Sequence, residues 1–187
     1  MKSDAERLRL EQFENQVLIY VKDLHRAALR LTDQLSDAED LVQETCLRAF
    51  KSLEQLRQPA AAKAWVFSIL RSIFLRQAER ASSRPVLVSL EDIDASPLSV
   101  SEARRDAYEN FLPIQQTLVE EVRRATLTLP LVYRETVVLA HIAGFSYREM
   151  AQILGVPVGT VMSRLFRARR MLRASLRESR SRSETPR

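Results

Sequence analysis

Glycine, cysteine and histidine are scarce in this chain of 187 residues. It has only 3 glycines, whereas a loop that cradles a nucleotide phosphate needs several of them close together. Its single cysteine, Cys46, excludes an intrachain disulfide and a Cys-rich metal site. His25 and His141 are the only imidazoles. We therefore expect no nucleotide-binding loop, no metal centre and no cofactor.

Long apolar runs are also lacking. The longest apolar stretch, residues 137–145, is interrupted by His141. It is far too short to span a bilayer, which takes about 20 residues. Residues 1–12 contain no apolar segment of the kind that forms the core of a signal peptide. These absences predict a cytoplasmic protein.

Positive charge is concentrated near the C-terminus. The whole chain has a net charge of +5. Residues 128–187 contain 11 arginines, no lysine and 4 acidic residues, which is a net charge of +7. A cationic segment of this kind is typical of proteins that bind polyanions. Arginine suits bidentate contacts with phosphate and guanine better than lysine does.

Helical periodicity predicts an all-α protein made of two small helical domains joined by a flexible linker. In the first domain, residues 12–80, apolar spacing predicts helices over 12–31, 36–56 and 60–80. The pattern from Ser36 to Glu39 is that of a capping box at the start of the second helix. Residues 81–111 are interrupted by serine and proline and predict the linker, with a polar helix over 100–110.

The second predicted domain, residues 112–176, contains a helix-turn-helix signature. Helices are expected over 112–127 and 131–143, and a capping box from Ser146 to Glu149 opens a short third helix. After the turn at Gly155, a long helix runs from Pro157 to about residue 176. The Arg/Ser-rich residues 177–187 are expected to be a disordered tail.

The long helix has one face that suits DNA. Val161, Leu165 and Ala168 form an apolar stripe at 100° per residue. The opposite face carries hydroxyl, aromatic and guanidinium groups, from Thr160, Ser163, Phe166, Arg167 and Arg170. Such groups can contact phosphates and base edges. The alternative is a solvated cationic face with Phe166 buried by a neighbour.

Two helices of the first domain carry further candidate surfaces. On the second helix, Leu47 lies among polar residues on the side opposite the core, and the other members of this face are Asp40, Gln43 and Glu44. An apolar residue in a polar ring suits a protein interface, although a single exposed leucine is also common. On the third helix, Ser68, Arg71 and Ser72 lie opposite the apolar side, and this helix is either a nucleic-acid surface or an ordinary amphipathic helix. Trp65 is assigned to packing.

Residues 37–53, 64–75 and 129–173 resemble the extracytoplasmic-function sigma factors of bacteria, in order and in spacing. The resemblance implies that residues 12–80 form sigma region 2, which docks on the clamp coiled coil of core RNA polymerase and melts the −10 promoter element. It implies that residues 112–176 form sigma region 4, which reads the −35 element in the major groove and contacts the polymerase flap. An anti-sigma factor is an implied further partner, and no catalytic activity is implied.

The resemblance also implies roles for individual residues. The core-polymerase contact would consist of Asp40, Gln43, Glu44 and Leu47. The −10 contact would consist of Arg57, Lys63, Ser68, Arg71 and Ser72. The −35 contact would consist of Thr160, Ser163, Arg164, Phe166, Arg167 and Arg170.

Two other classes of function are considered. A conventional helix-turn-helix regulator would bind a palindromic duplex as a dimer without polymerase. An enzyme would have to use His25 or His141, and His141 lies in an apolar helix where a packing or surface role is favoured.

Overall fold

The computed structural model describes residues 4–81 and 116–183. Every regular element in these two segments is an α-helix or a 3-10 helix, which confirms the all-α prediction. The chain divides into two compact units, Met1–Leu87 and Val88–Arg187. The predicted linker and its polar helix over 100–110 fall almost entirely outside the described residues.

The first unit is built from four α-helices, which are α1 (Asp4–Gln16), α2 (Val21–Leu31), α3 (Leu35–Lys51) and α4 (Ala62–Ala81). Short 3-10 turns lie between them at Leu18–Tyr20, Leu53–Gln55 and Pro59–Ala61. Helix α3 packs against both α2 and α4. Leu24, Leu41 and Phe67, one from each of these helices, are fully buried. The core therefore lies among α2, α3 and α4.

Two sequence predictions for this unit were wrong. The single helix over 12–31 is two helices separated by the turn at Leu18–Tyr20. Phe13 and Val17 are both buried, so the apolar spacing continues up to the break and hides it. There is also no capping box at Ser36, because α3 begins one residue earlier, at Leu35. Its N-cap, Gln34, makes no side-chain capping bond.

The second unit contains α5 (Gln116–Leu127), α6 (Leu131–His141), α7 (Tyr147–Leu154) and α8 (Val158–Ser183). Helix α8 packs against the other three helices. Val161, Leu165 and Ala168 of its predicted apolar stripe are all buried. The stripe of α8 is therefore the centre of this unit.

The helix-turn-helix is bounded by specific local interactions. The Ser146 hydroxyl accepts from the Glu149 amide at 3.3 Å, and the Ser146 amide donates to the Glu149 carboxylate at 2.8 Å. This reciprocal pair confirms the second predicted capping box. After α7, Gly155 has a φ of 68°, a left-handed conformation in which glycine is the preferred helix terminator. The turn between α7 and α8 is thus set by the sequence itself.

Helix α8 is longer than expected. It continues to Ser183, so residues 177–183 are helical where a disordered tail was predicted, and residues 184–187 lie outside the described part. Leu172 and Leu176 are half-buried and extend the apolar stripe beyond Ala168. Arginine is also a strong helix former. The prediction of disorder used only the charge and serine content of these residues and did not consider this propensity. In residues 4–81 and 116–183 no helix is long and apolar enough to cross a membrane.

Replacing Ser146 by alanine should lower the stability of α7 by about 1 kcal/mol, because it removes the hydroxyl that caps the helix. Hydrogen exchange of the α7 amides in the full chain measures this local opening. Ser36→Ala is the matched control, since Ser36 lies inside α3 and caps nothing. It should change α3 by less than about 0.5 kcal/mol. Equal effects of the two substitutions would contradict the assignment of the caps.

Candidate nucleic-acid and protein interfaces

The exposed face of α3 carries Asp40, Gln43, Glu44 and Leu47. All of them are exposed, and Leu47 is 58% exposed. On the other side of the helix, the buried Thr45 hydroxyl donates to the Leu41 carbonyl at 2.7 Å. The side of α3 that faces the core is thus buried, while the apolar Leu47 side chain on the other side is exposed to solvent among polar residues. We call these four residues the α3 face.

Cys46 is next to the α3 face but is not part of it. Its side chain is half-buried, and burial raises the pKa of the thiol. The thiol form is therefore favoured over the reactive thiolate. Cys46 therefore acts as a small apolar residue in the packing of α3.

Ser68, Arg71 and Ser72 share one side of α4, at spacings of three and four residues. The Ser68 hydroxyl donates to the Trp65 carbonyl at 2.6 Å. The Ser72 hydroxyl accepts from the Arg76 guanidinium at 2.8 Å. Trp65 is half-buried on the same side, so its ring is packed but not enclosed. We call Ser68, Arg71 and Ser72 the α4 face.

The two other predicted −10 residues are placed differently. Arg57 is exposed in the short segment between the 3-10 turns that precede α4. Lys63 lies on another side of α4, where its Nζ is 3.5 Å from Asp23 Oδ2 and 6.0 Å from the centre of the Tyr20 ring. The ion pair ties the start of α4 to α2. Lys63 is therefore engaged within the unit and does not join the α4 face.

The α8 face consists of Thr160, Ser163, Phe166, Arg167 and Arg170. Arg170 is exposed and the other four are half-buried, in contrast to the fully buried residues of the opposite side. The Ser163 hydroxyl donates to the Thr160 carbonyl at 3.0 Å, and its oxygen can still accept. The helix thus presents hydroxyl, aromatic and guanidinium groups together.

Arg164, the sixth residue predicted for the −35 contact, does not lie with them on the exposed side of α8. Its side chain is only 7% exposed, and its Nη1 lies 4.0 Å from Oε1 of Glu135, which is 5% exposed. Its Nε is buried without a hydrogen-bond partner. Arg164 is thus enclosed between α6 and α8, and its part in the −35 contact stays a prediction. Its role is to neutralise a buried carboxylate.

Sequence reasoning missed Glu135. The signal was Glu135 itself, a single acid within the apolar run of α6. A carboxylate buried in such a run is rarely found without a cation. Helix α6 buries Thr136 and Val137 next to it. Had Glu135 been recognised as buried, Arg164 would have been the natural counter-ion on the core side of α8.

His141, considered above as a catalytic candidate, ends α6. Its Nε2 lies 3.4 Å from an Arg169 guanidinium nitrogen. Although part of the residue is exposed, burial of the ring lowers the pKa of His141, and the neighbouring Arg169 charge lowers it further. Within the described residues, no group of three or more histidine, cysteine or acidic side chains could hold a metal ion.

Comparison with known proteins finds a family match in each of the two units. Residues 17–84 match the family model of Sigma-70 region 2, and residues 119–172 match that of Sigma-70 region 4. The ECF RNA polymerase sigma factor EcfG of Rhodopseudomonas palustris is 34% identical over 168 residues, which is 89% of this chain and 86% of that protein. This chain belongs to the ECF sigma factors. The resemblance seen in the sequence is confirmed.

Other proteins similar to this ECF sigma factor also match over most of its length. The factor SigL of Mycobacterium tuberculosis is 33% identical, over 83% of each chain. The solved sigma factor RpoE of Bartonella quintana, in complex with the anti-sigma factor NepR, matches with a TM-score of 0.65 and 28% identity, over 88% of this chain and 96% of that one. CnrH, solved with the cytosolic domain of CnrY, matches with a TM-score of 0.62 and 26% identity, over 89% and 88%.

Membership of this family gives the function. The ECF sigma factor directs promoter-specific transcription initiation by RNA polymerase, with region 2 acting at the −10 element and region 4 at the −35 element. A dimeric regulator without polymerase does not fit the two-region match.

Arg164→Ala should destabilise the second unit by about 3–5 kcal/mol, because it leaves the buried Glu135 carboxylate without its arginine. Hydrogen exchange of α6 and α8 in the full chain measures the loss. Arg170→Ala is the control, since Arg170 is exposed on the same helix and should change stability by less than about 0.5 kcal/mol. Unchanged stability of Arg164→Ala, together with weaker DNA binding, would instead support the predicted −35 contact of Arg164.

Proposed function

We propose that this sigma factor binds core RNA polymerase through the α3 face. The observation that carries this assignment is Leu47, an apolar side chain that is 58% exposed among Asp40, Gln43 and Glu44. An apolar anchor buried at the centre of an interface supplies affinity, while a polar rim gives orientation. The carboxylates would direct the face towards basic residues of the polymerase clamp.

The −10 element would be bound at the α4 face and the segment that carries Arg57. Arg57 and Arg71 supply positive charge for the phosphates, and the Ser68 and Ser72 hydroxyls supply short-range polar contacts. A base taken out of the stack can lodge beside such a helix. Lys63 would contribute to the positive potential from within its ion pair with Asp23.

The −35 element would be read by the α8 face in the major groove, which admits one α-helix. Arg167 and Arg170 are suited to guanine edges and phosphates, and Phe166 to the methyl group of thymine. The N-terminal residues of a recognition helix usually contact the bases. Thr160 and Ser163 occupy that part of α8.

Division of recognition between two units would increase binding strength. We assign residues 12–80 to region 2, 81–111 to the linker and 112–176 to region 4. Once one unit is bound, the linker makes the second contact intramolecular and so raises its effective concentration. The factor would perform no chemistry of its own, since the polymerase makes the RNA, and would act in the cytoplasm with it.

An anti-sigma factor is the proposed regulator. Two similar solved proteins, RpoE and CnrH, are held by NepR and by the cytosolic domain of CnrY, respectively. The two histidines and one cysteine of this chain offer little for sensing a stimulus directly. A protein that covers one of its surfaces would supply the switch.

Leu47→Asp should weaken core polymerase binding by about thirty-fold or more, since loss of a central apolar anchor typically removes at least 2 kcal/mol. Titration of labelled sigma factor with core polymerase measures this affinity. Leu8→Asp is the matched control, because Leu8 is 68% exposed on a different helix, α1. Both variants should keep the circular dichroism of the wild type. Equal core affinity of Leu47→Asp and wild type would refute the proposed contact.

Arg167→Ala should weaken use of the −35 element by about 1–3 kcal/mol and relax base preference at one position if Arg167 contacts a base. Run-off transcription from promoter-bearing genomic fragments, with core polymerase and each variant, measures promoter choice. Arg124→Ala is the control, as Arg124 is an exposed arginine on α5, outside the helix-turn-helix. New start sites that require both polymerase and sigma factor are expected with the wild type. Unaltered promoter preference in Arg167→Ala would remove Arg167 from the reading surface.

A further inference from the structure

Arg9 of α1 reaches across the first unit to the end of α3. One of its guanidinium nitrogens donates to the Phe50 carbonyl at 3.0 Å and to the Lys51 carbonyl at 3.3 Å. Its Cζ lies 5.1 Å from the centre of the Phe50 ring. The other terminal nitrogen lies 3.7 Å from Glu54 Oε1. A residue 41 positions away in sequence thus contacts the backbone and the Phe50 ring of the last turn of α3, and also Glu54 in the turn that follows it.

These contacts satisfy a general need of helix ends. The last four carbonyls of a helix have no partner within it, and a positive charge there interacts favourably with the helix dipole. At the end of α3, the Ser52 amide bonds to the Arg48 and Ala49 carbonyls. Arg9 provides a donor to the next two carbonyls, at Phe50 and Lys51, and so completes the cap.

Helix α1 has little other anchorage. Phe13 is its only buried residue, and the Phe13 ring packs edge-on against Phe50 with the ring centres 5.2 Å apart. Phe13 and Arg9 therefore both contact Phe50 of α3. The Arg9–Glu54 ion pair adds little, because the Glu54 side chain is 85% exposed. The bonds to the carbonyls are the specific part of the contact.

The segment that follows this cap is the one that carries Arg57. Residues 52–61 connect α3 to α4 through two 3-10 turns, and Leu53 and Leu56 anchor them in the core. Arg57 and Gln58 stand exposed between the turns. The path of this segment depends on where α3 ends, and Arg9 holds that end.

We propose that Arg9 is a positioning residue for promoter opening. By fixing the last turn of α3, it holds residues 52–61 in the conformation that receives the unpaired −10 base. This inference rests on the proposed −10 role of that segment. The contacts of Arg9 are with Phe50, Lys51 and Glu54, none of which belongs to the α3 face, so loss of Arg9 should leave core binding intact.

The test compares holoenzymes assembled from core polymerase and full-length sigma variants. A duplex promoter with 2-aminopurine in its −10 element reports opening, and a forked fragment with that element already unpaired reports base capture. Arg9→Ala should open the duplex about ten-fold more slowly, the size expected for loss of a charge-assisted hydrogen bond. It should also discriminate less between the preferred −10 base and a substituted one on the forked fragment. Its affinity for core polymerase should stay unchanged.

Two control variants isolate the bonds to the carbonyls. Glu54→Gln removes only the exposed ion pair, and Arg7→Ala removes an exposed arginine from the same helix; both should open promoters at the wild-type rate. Opening is measured at a temperature where circular dichroism shows every variant folded. Should Arg9→Ala fail to fold, Arg9→Lys replaces it, with an expected slowing of about three-fold because an ammonium lacks the planar fork of arginine.

Wild-type opening and base discrimination in the folded Arg9 variant would overturn the inference, and so would a slowing matched by Glu54→Gln or Arg7→Ala. A lower melting temperature without an opening defect would show a purely structural cap and would also overturn it. Arg57→Ala separates this inference from the proposed function. If Arg57→Ala slows opening and the Arg9 variant does not, only the role of Arg9 fails. If neither slows opening, the proposed −10 role of the segment fails as well.

Discussion

A helix that both builds a core and contacts a partner has to divide its circumference between the two tasks. In α8, Val161, Leu165 and Ala168 are buried, and the α8 face lies on the opposite side of the helix. The same division separates Leu41 and Thr45 of α3 from the α3 face. Because neighbouring residues are 100° apart, burying one side fixes the direction of the other. Packing of the core therefore determines the direction in which the α3 and α8 faces point.

Arginine illustrates why net charge alone cannot locate such a surface. Arg134 donates to the Leu127 and Leu129 carbonyls at the end of α5, and Arg164 neutralises the buried Glu135. Arg167 and Arg170 lie on the α8 face. The net charge of +7 in residues 128–187 thus combines structural cations with cations of the proposed DNA contact. Spacing on the helix, and not the total charge, distinguishes them.

Much of the fold and of the candidate surfaces could be predicted from local patterns. The capping box at Ser146 and the glycine at 155 are each decided within a few residues, and both predictions agree with the structure. The α3 and α8 faces follow from helical spacing. The break after Val17 and the burial of Glu135 depend on which residues pack against them, which spacing does not reveal. The capping box at Ser36 had the correct residues, but α3 begins before it.

The contacts of Arg9 belong to the same class of long-range feature. No local pattern links residue 9 to the carbonyls of Phe50 and Lys51, yet Arg9 donates to both of them at the end of α3. The proposed polymerase contact and the proposed −10 contact therefore lie in different parts of the first unit. The middle of α3 is fixed by its buried side, which would hold the proposed polymerase contact rigidly. The segment after α3 is fixed by a few polar bonds at its start and two buried leucines, so its proposed role in promoter opening would change without a change in the proposed docking helix.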